Sequence, residues 1–297
     1  MEEVFQIITD GSCDLPPDLA EEKHIRVVPF YVSFDGKLYQ KEGEEIGVRE
    51  FYRRMVDNPG VYPKSSLPSV HDYEEVFEEY ARQHIPMLVI CITTKFSGSM
   101  QSALSAKELI LEKYPDAIIR VMDATVNTVL QGQLVLEGAA MQERGAGFAE
   151  TAARLETIKK TARIFFTVGD MEYLKAGGRI GKVAGLAGSV LGIRPVITLK
   201  EGEIFPSGIA RSRHKTMEKT IDLLLHYLEE NGGPVDRYSI AVGFGYDRKE
   251  AEDYRAMVEA ALRENYGPYT LPIYQIGATI GVHTGPLPLG LGILERA

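Results

Sequence analysis

The 297-residue chain has only two cysteines, Cys13 and Cys91, too few for a disulfide framework or a four-thiolate metal site. It has no basic excess: 33 Lys and Arg against 42 Asp and Glu leave a net charge of −9, which argues against a broad surface for a nucleic-acid backbone. Its longest apolar runs fall far short of the roughly 20 residues that cross a bilayer. The opening Met-Glu-Glu-Val-Phe-Gln-Ile-Ile-Thr-Asp is acidic and passes straight into a strand-like run. No secretory signal is read there, and a cytoplasmic location is expected. What remains is an ordinary globular composition, 44% hydrophobic and 25% charged, at a length that suits about two domains.

Common signatures of catalysis and cofactor binding are missing as well. Gly177–Lys182 is glycine-rich, but Val183 follows Lys182 where a Walker loop needs a hydroxyl. Phe96-Ser97-Gly98-Ser99-Met100 lacks the first glycine of a nucleophile elbow. Gly243-Phe244-Gly245 lacks the third glycine of a dinucleotide fingerprint. The six histidines show no H-x-x-x-H spacing and no EF-hand loop is present, so neither a metal nor a cofactor is expected. Arg179, after two glycines, either reaches into a cleft or ties two loops together. The basic run Arg211–Lys215 either holds an anion or is a solvated helix start.

Periodicity predicts alternating strands and helices in the first half: strands at Val4–Thr9, Ile25–Phe34, Met87–Thr93 and Ala117–Met122, and helices at Val48–Asp57, Val70–Gln83, Ser99–Tyr114, Thr128–Gln142 and Phe148–Thr161. That rhythm implies a mainly parallel sheet covered by helices. Pro29 marks an edge or an irregularity within Ile25–Phe34. After Thr161 the rhythm changes. Paired strands Arg194–Lys200 and Ile204–Ser207 flank the turn Glu201-Gly202, and long helices are expected over Ser212–Glu230 and Lys249–Asn265. A mixed sheet is expected here. The fold class is therefore α/β, with an N-terminal domain over 1–161 and a C-terminal domain over 162–297.

Small polar residues gather where strands hand over to helices: Ser12, Ser97, Ser99, Thr125 and Thr128, with Ser65, Ser66 and Ser69 before the helix at Val70. Such junctions share one edge of an open parallel sheet. Ser and Thr there serve first as helix caps, worth about 1 kcal/mol each. Grouped on one edge, beside unpaired helix N–H groups, they also form an anion site that needs no Lys or Arg and suits a carboxylate.

The motifs carry a family resemblance that runs nearly end to end. Ile8-Thr9-Asp10-Gly11-Ser12-Cys13-Asp14-Leu15-Pro16, Lys64-Ser65-Ser66-Leu67-Pro68-Ser69, Phe96–Ala103, Tyr173-Leu174-Lys175-Ala176-Gly177-Gly178-Arg179-Ile180 and Gly281-Val282-His283-Thr284-Gly285-Pro286 stand in the order found in the DegV family of fatty-acid-binding proteins. The chain resembles that family. The resemblance implies two α/β domains, a long-chain fatty acid with its tail in an apolar tunnel of the C-terminal domain, and a carboxylate held at the domain interface. It implies Ser65 and Ser97 as carboxylate ligands, with His283 and an arginine at the start of the long helix nearby; Arg213 is the candidate, with Arg211 as its alternative. It also permits presentation of the bound acid to a separate fatty-acid kinase. Departures are Ser65 in place of Thr, Ser99-Met100 in place of Thr and an aromatic residue, and Leu287-Pro288 after the H-T-G-P segment.

A sixteen-carbon tail buries about fifteen carbon groups at ~0.8 kcal/mol each, roughly 12 kcal/mol gross. Association costs of roughly 4–15 kcal/mol offset much of this. The tail thus supplies affinity and the head site orientation. Candidate tail contacts are Ala184–Ile193, Phe165, Phe166, Ile221 and Leu224, for each of which plain core packing is the simpler reading. The expected function is a binder with no catalytic activity of its own. The alternatives are an esterase-like serine hydrolase using Ser97 and His283, and a regulatory interaction protein with lipid as filler.

Overall fold

The computed structural model describes residues 4–186 and 193–297. The first half contains β1 (Gln6–Asp10), α1 (Pro17–Glu22), β2 (Arg26–Val28), β3 (Tyr31–Ser33), β4 (Gln40–Lys41), α2 (Val48–Asp57), β5 (Lys64–Ser66), α3 (Val70–Ala81), β6 (Met87–Cys91), α4 (Ser99–Lys113), β7 (Ile119–Asp123), α5 (Thr128–Glu143) and α6 (Phe148–Ile158). The second contains β8 (Arg163–Thr167), α7 (Glu172–Ala176), β9 (Arg194–Lys200), β10 (Glu203–Ala210), α8 (Arg213–Asn231), β11 (Tyr238–Phe244), α9 (Arg248–Asn265), β12 (Ile273–Gln275), α10 (Ala278–Thr284) and β13 (Leu289–Glu295).

The expected α/β class is what forms. A parallel sheet in the order β2-β1-β6-β7 stands in the first half, and a mixed six-stranded sheet, β10-β9-β8-β13-β11-β12, in the second. β6 is Met-Leu-Val-Ile-Cys with all five residues buried, as a strand covered on both faces requires. α3 begins at a complete capping box, in which Ser69 and Asp72 satisfy each other's backbone N–H.

One local reading is corrected, and one strand had not been read. Ile25–Phe34 is two strands, β2 and β3, which belong to different sheets. The break falls at Pro29-Phe30, where a residue without an N–H cannot continue a ladder. β3 then pairs with β4 and β5 in a small antiparallel sheet, which puts Ser65 on a strand. In the Gly/Pro-rich tail, β13 lies between β8 and β11 near the middle of the second sheet. Its glycines obscure the strand pattern.

α5 joins the halves. It packs on β1 from one side and on β11 and β13 from the other, and twelve of its sixteen residues are buried. One apolar core runs through it, from Ile7 and Leu88 past Leu130 and Leu134 to Ile164, Leu199 and Leu294. The ends of the two sheets open beside the N-terminus of this helix, and the cavity described next lies there.

Candidate functional site

A cavity of about 240 Å³ lies between the two sheets, with Ser65, Ser97, Arg179 and His283 among its walls. Each comes from a different element. Ser65 is on β5, Ser97 precedes α4, Arg179 follows α7, and His283 is in the last turn of α10.

Ser65 Oγ lies 3.0 Å from His283 Nε2. The other ring nitrogen, Nδ1, is buried and has no partner. It is pressed against the Cα of Gly177, where a Cβ would collide with it, so glycine is required at 177 for the ring to enter. A proton on Nδ1 would be an unsatisfied buried donor; the tautomer that fits is Nε2–H donating to Ser65 Oγ. That bond leaves the Ser65 hydrogen free to point into the cavity. Burial, reinforced by the positive charge of Arg179, lowers the pKa of His283 from its ordinary 6.5 to about 4, so the ring is neutral at physiological pH.

Ser97 accepts the Ser99 N–H at 3.1 Å, and its own hydrogen is not used in that bond. The turn is anchored from behind. Ser99 Oγ donates to the buried Asp10 at 2.7 Å, and Asp10 also accepts from Ser12, Gln131 and the N–H of Ile92. Burial raises the Asp10 pKa, opposed by these four bonds. Arg179 does both things open to it. It lines the cavity, and it donates through Nε and Nη2 to Phe96 O (3.1 and 2.9 Å) and through Nη1 to Gly177 O (2.7 Å). It therefore binds the loop carrying Ser97 to the loop that admits His283. Two serine hydroxyls, a neutral imidazole and a guanidinium converge here, a set that hydrogen-bonds and neutralises a carboxylate.

Arg213 stands elsewhere. Its guanidinium forks onto Glu250 (Nε–Oε1 2.7 Å, Nη2–Oε2 2.8 Å) and donates to Leu287 O at 3.0 Å, and it is not among the cavity walls. Arg211 is exposed to solvent. The cation beside the cavity is Arg179, whose signal in the sequence was the pair of glycines before it. Of the hydroxyl-bearing residues at the sheet edge, Ser65, Ser66, Ser97 and Thr128 line the cavity. Ser69 caps α3, and Ser12 and Ser99 bind Asp10.

A model of the DegV family, whose description reads "Uncharacterised protein, DegV family", matches residues 4–296. The chain belongs to the DegV family. A DegV domain-containing protein of Caldanaerobacter subterraneus is 31% identical, covering 99% of this chain and 100% of the relative. A solved stearic acid-binding protein from Eubacterium ventriosum is 43% identical over 99% of both chains, with a TM-score of 0.93. A fatty-acid-binding DegV family protein from Thermus thermophilus is 29% identical, covering 98% of this chain and 99% of its own, with a TM-score of 0.87.

Away from the polar end, the walls of this DegV cavity are apolar and come from both halves of the chain. Ile164, Phe166, Leu199 and Ile204 belong to the second sheet, and Ile92, Val129, Ile276 and Ile280 pack together on the other side. Of the tail contacts read from sequence, Phe166 is in the wall. Phe165 points to the opposite face of β8, where it packs with Ile221, Leu224 and Tyr227 under α8. Strand alternation sends neighbouring phenylalanines to opposite faces, so Phe165, Ile221 and Leu224 are core residues. Most of Ala184–Ile193, residues 187–192, lies outside the described residues.

Proposed function

We propose that the protein binds a long-chain fatty acid, with its carboxylate at Ser65, Ser97, His283 and Arg179 and its tail along the apolar walls between the two sheets. The observation that carries this reading is one cavity with hydrogen-bond donors converging at one end and aliphatic side chains along the rest. A buried carboxylate is very costly unless it is hydrogen-bonded, and the polar end supplies those bonds. The relatives named for stearic acid and fatty-acid binding share this fold over nearly the whole chain. On this reading residues 1–161 and 162–297 are two domains that meet along the ligand.

The same geometry favours binding over ester hydrolysis. His283 bonds Ser65 rather than Ser97, its Nδ1 has no acidic partner to orient it, and its lowered pKa makes it a weak base. Presentation of the acid to a separate fatty-acid kinase fits the position of the head site. Ser66, Leu67, Gly98 and Arg179 are exposed there, so the carboxylate end is the accessible end.

Native mass spectrometry of the purified protein, before and after incubation with stearate, tests the reading. A bound acyl chain or one-to-one uptake is expected. Ser97→Ala should weaken stearate binding by about 1–3 kcal/mol, the cost of one lost donor to a charged group. A wild-type protein that neither carries nor takes up an acyl chain overturns it.

A further inference from the structure

Two acidic side chains that play no direct part in this site meet behind it, at the N-terminus of the helix carrying His283. Asp14 and Glu42 both crowd Gly277, where a Cβ would collide with Asp14 Oδ1 and with Glu42 Oε1 alike. Their hydrogen bonding is unequal. Glu42 accepts the N–H of Ala278 through Oε1, and the N–H and hydroxyl of Thr279 through Oε2 at 3.0 and 2.6 Å. Asp14 accepts Thr128 Oγ1 through Oδ2 at 2.5 Å, while its Oδ1 is buried with no partner. The other groups acting on the pair are Tyr52 from α2, the Gly277 N–H and the more distant Asp10, and none is a cation. Burial pushes the pKa of each carboxyl up, and the charge on Glu42 pushes Asp14 further.

Two carboxylates enclosed together, with no cation among the described groups acting on them, cannot both ionise at modest cost. The charge belongs where the donors are, and three donors face Glu42 against the Thr128 hydroxyl and the Gly277 N–H at Asp14. We propose that Asp14 is held as the neutral acid and Glu42 as the carboxylate, so that one negative charge fixes the first turn of α10 and thereby positions His283 against Ser65. Asp14 and Glu42 are thus positioning residues. They act through α10, and through Thr128 and Thr279, which line the cavity. The proton assignment also accounts for the unpartnered oxygen. As an O–H, Oδ1 is a donor beside a carboxylate instead of a bare charge beside another.

The role in ligand capture rests on the fatty-acid reading, whereas the protonation state does not, so the test has two arms. Infrared spectroscopy of the wild type at neutral pH should show a protonated carboxylic C=O band that is absent in Asp14→Asn. In stearate titration, Asp14→Asn, an uncharged mimic of the neutral acid, should hold its Kd within about twofold. Glu42→Gln, which removes the charge and turns an NH2 donor towards donors that both carboxylate oxygens now accept, should raise it at least tenfold. A wild-type spectrum without the band, or an Asp14→Asn protein as impaired as Glu42→Gln, overturns the proposal. Should Glu42→Gln fail to fold, the band and the tolerance of Asp14→Asn decide it. Should the wild type bind no stearate, the fatty-acid reading fails and the band alone decides the protonation state.

Discussion

Acidification should destabilise this protein through His283 by an amount its geometry fixes. The ring is packed against Gly177, bonded at Nε2 to Ser65, and faced by the charge of Arg179, so its pKa falls from 6.5 to about 4. An unfolded chain takes up that proton near pH 6.5 while the folded chain refuses it until about pH 4. The stability contributed by neutral burial is therefore complete above pH 6.5 and is lost as the pH falls towards 4. At ~1.4 kcal/mol per pH unit, the full loss is about 3 kcal/mol, and between pH 7.5 and 4.5 it is roughly 2–3 kcal/mol. Urea unfolding at the two pH values, run on the wild type and on His283→Gln, isolates this term. The glutamine keeps an N–H for Ser65 and does not titrate, and the other acidic groups cancel in the comparison. The wild type should lose roughly 2–3 kcal/mol more than the variant. Equal losses would show that the ring is free to protonate in the fold, and the argument that it keeps the Ser65 hydrogen turned into the cavity would fail with it.

Three further outcomes follow from particular contacts. Gly243 lines the cavity, and a Cβ there would approach Val129 and Ile276 at 3.2–3.4 Å; Gly243→Leu should overfill the tail space and cost about 1–3 kcal/mol of stearate affinity, read by titration, and an unchanged Kd places the tail elsewhere. Arg213→Gln breaks the fork on Glu250 and should lower unfolding free energy by about 1–3 kcal/mol while stearate affinity stays within threefold; a tenfold weaker Kd with unaltered stability would return Arg213 to the carboxylate. Phe165→Ala should cost about 3–5 kcal/mol of stability, yet leave the masses of the bound acyl chains unchanged in native mass spectrometry; a changed profile would mean that its face of β8 also meets the ligand.

The sequence alone determined the class of fold and where the polar residues of the cavity fall along the chain. Apolar runs such as Met87–Cys91, capping residues such as Ser69 and Asp72, and the turn Glu201-Gly202 act over a few residues, and their local chemistry is enough to specify a strand, a helix start and a hairpin. The motif series likewise located Ser65, Ser97 and His283, which the fold brings to one cavity. Tertiary structure decided what these residues do. Arg179 and Arg213 are equally basic in a sequence; only packing gives one to the cavity and the other to Glu250. Phe165 and Phe166 are indistinguishable until β8 takes its place between β9 and β13 and commits one to each face. β13 was not read from the sequence because its glycines break the strand pattern, although Gly290 and Gly292 fit the close approach of Phe166 and Leu130. The encounter of Asp14 with Glu42 was equally invisible. Burial, pKa and the sharing of charge depend on distances between segments far apart in the chain, and those distances exist only once the two sheets have closed around α5.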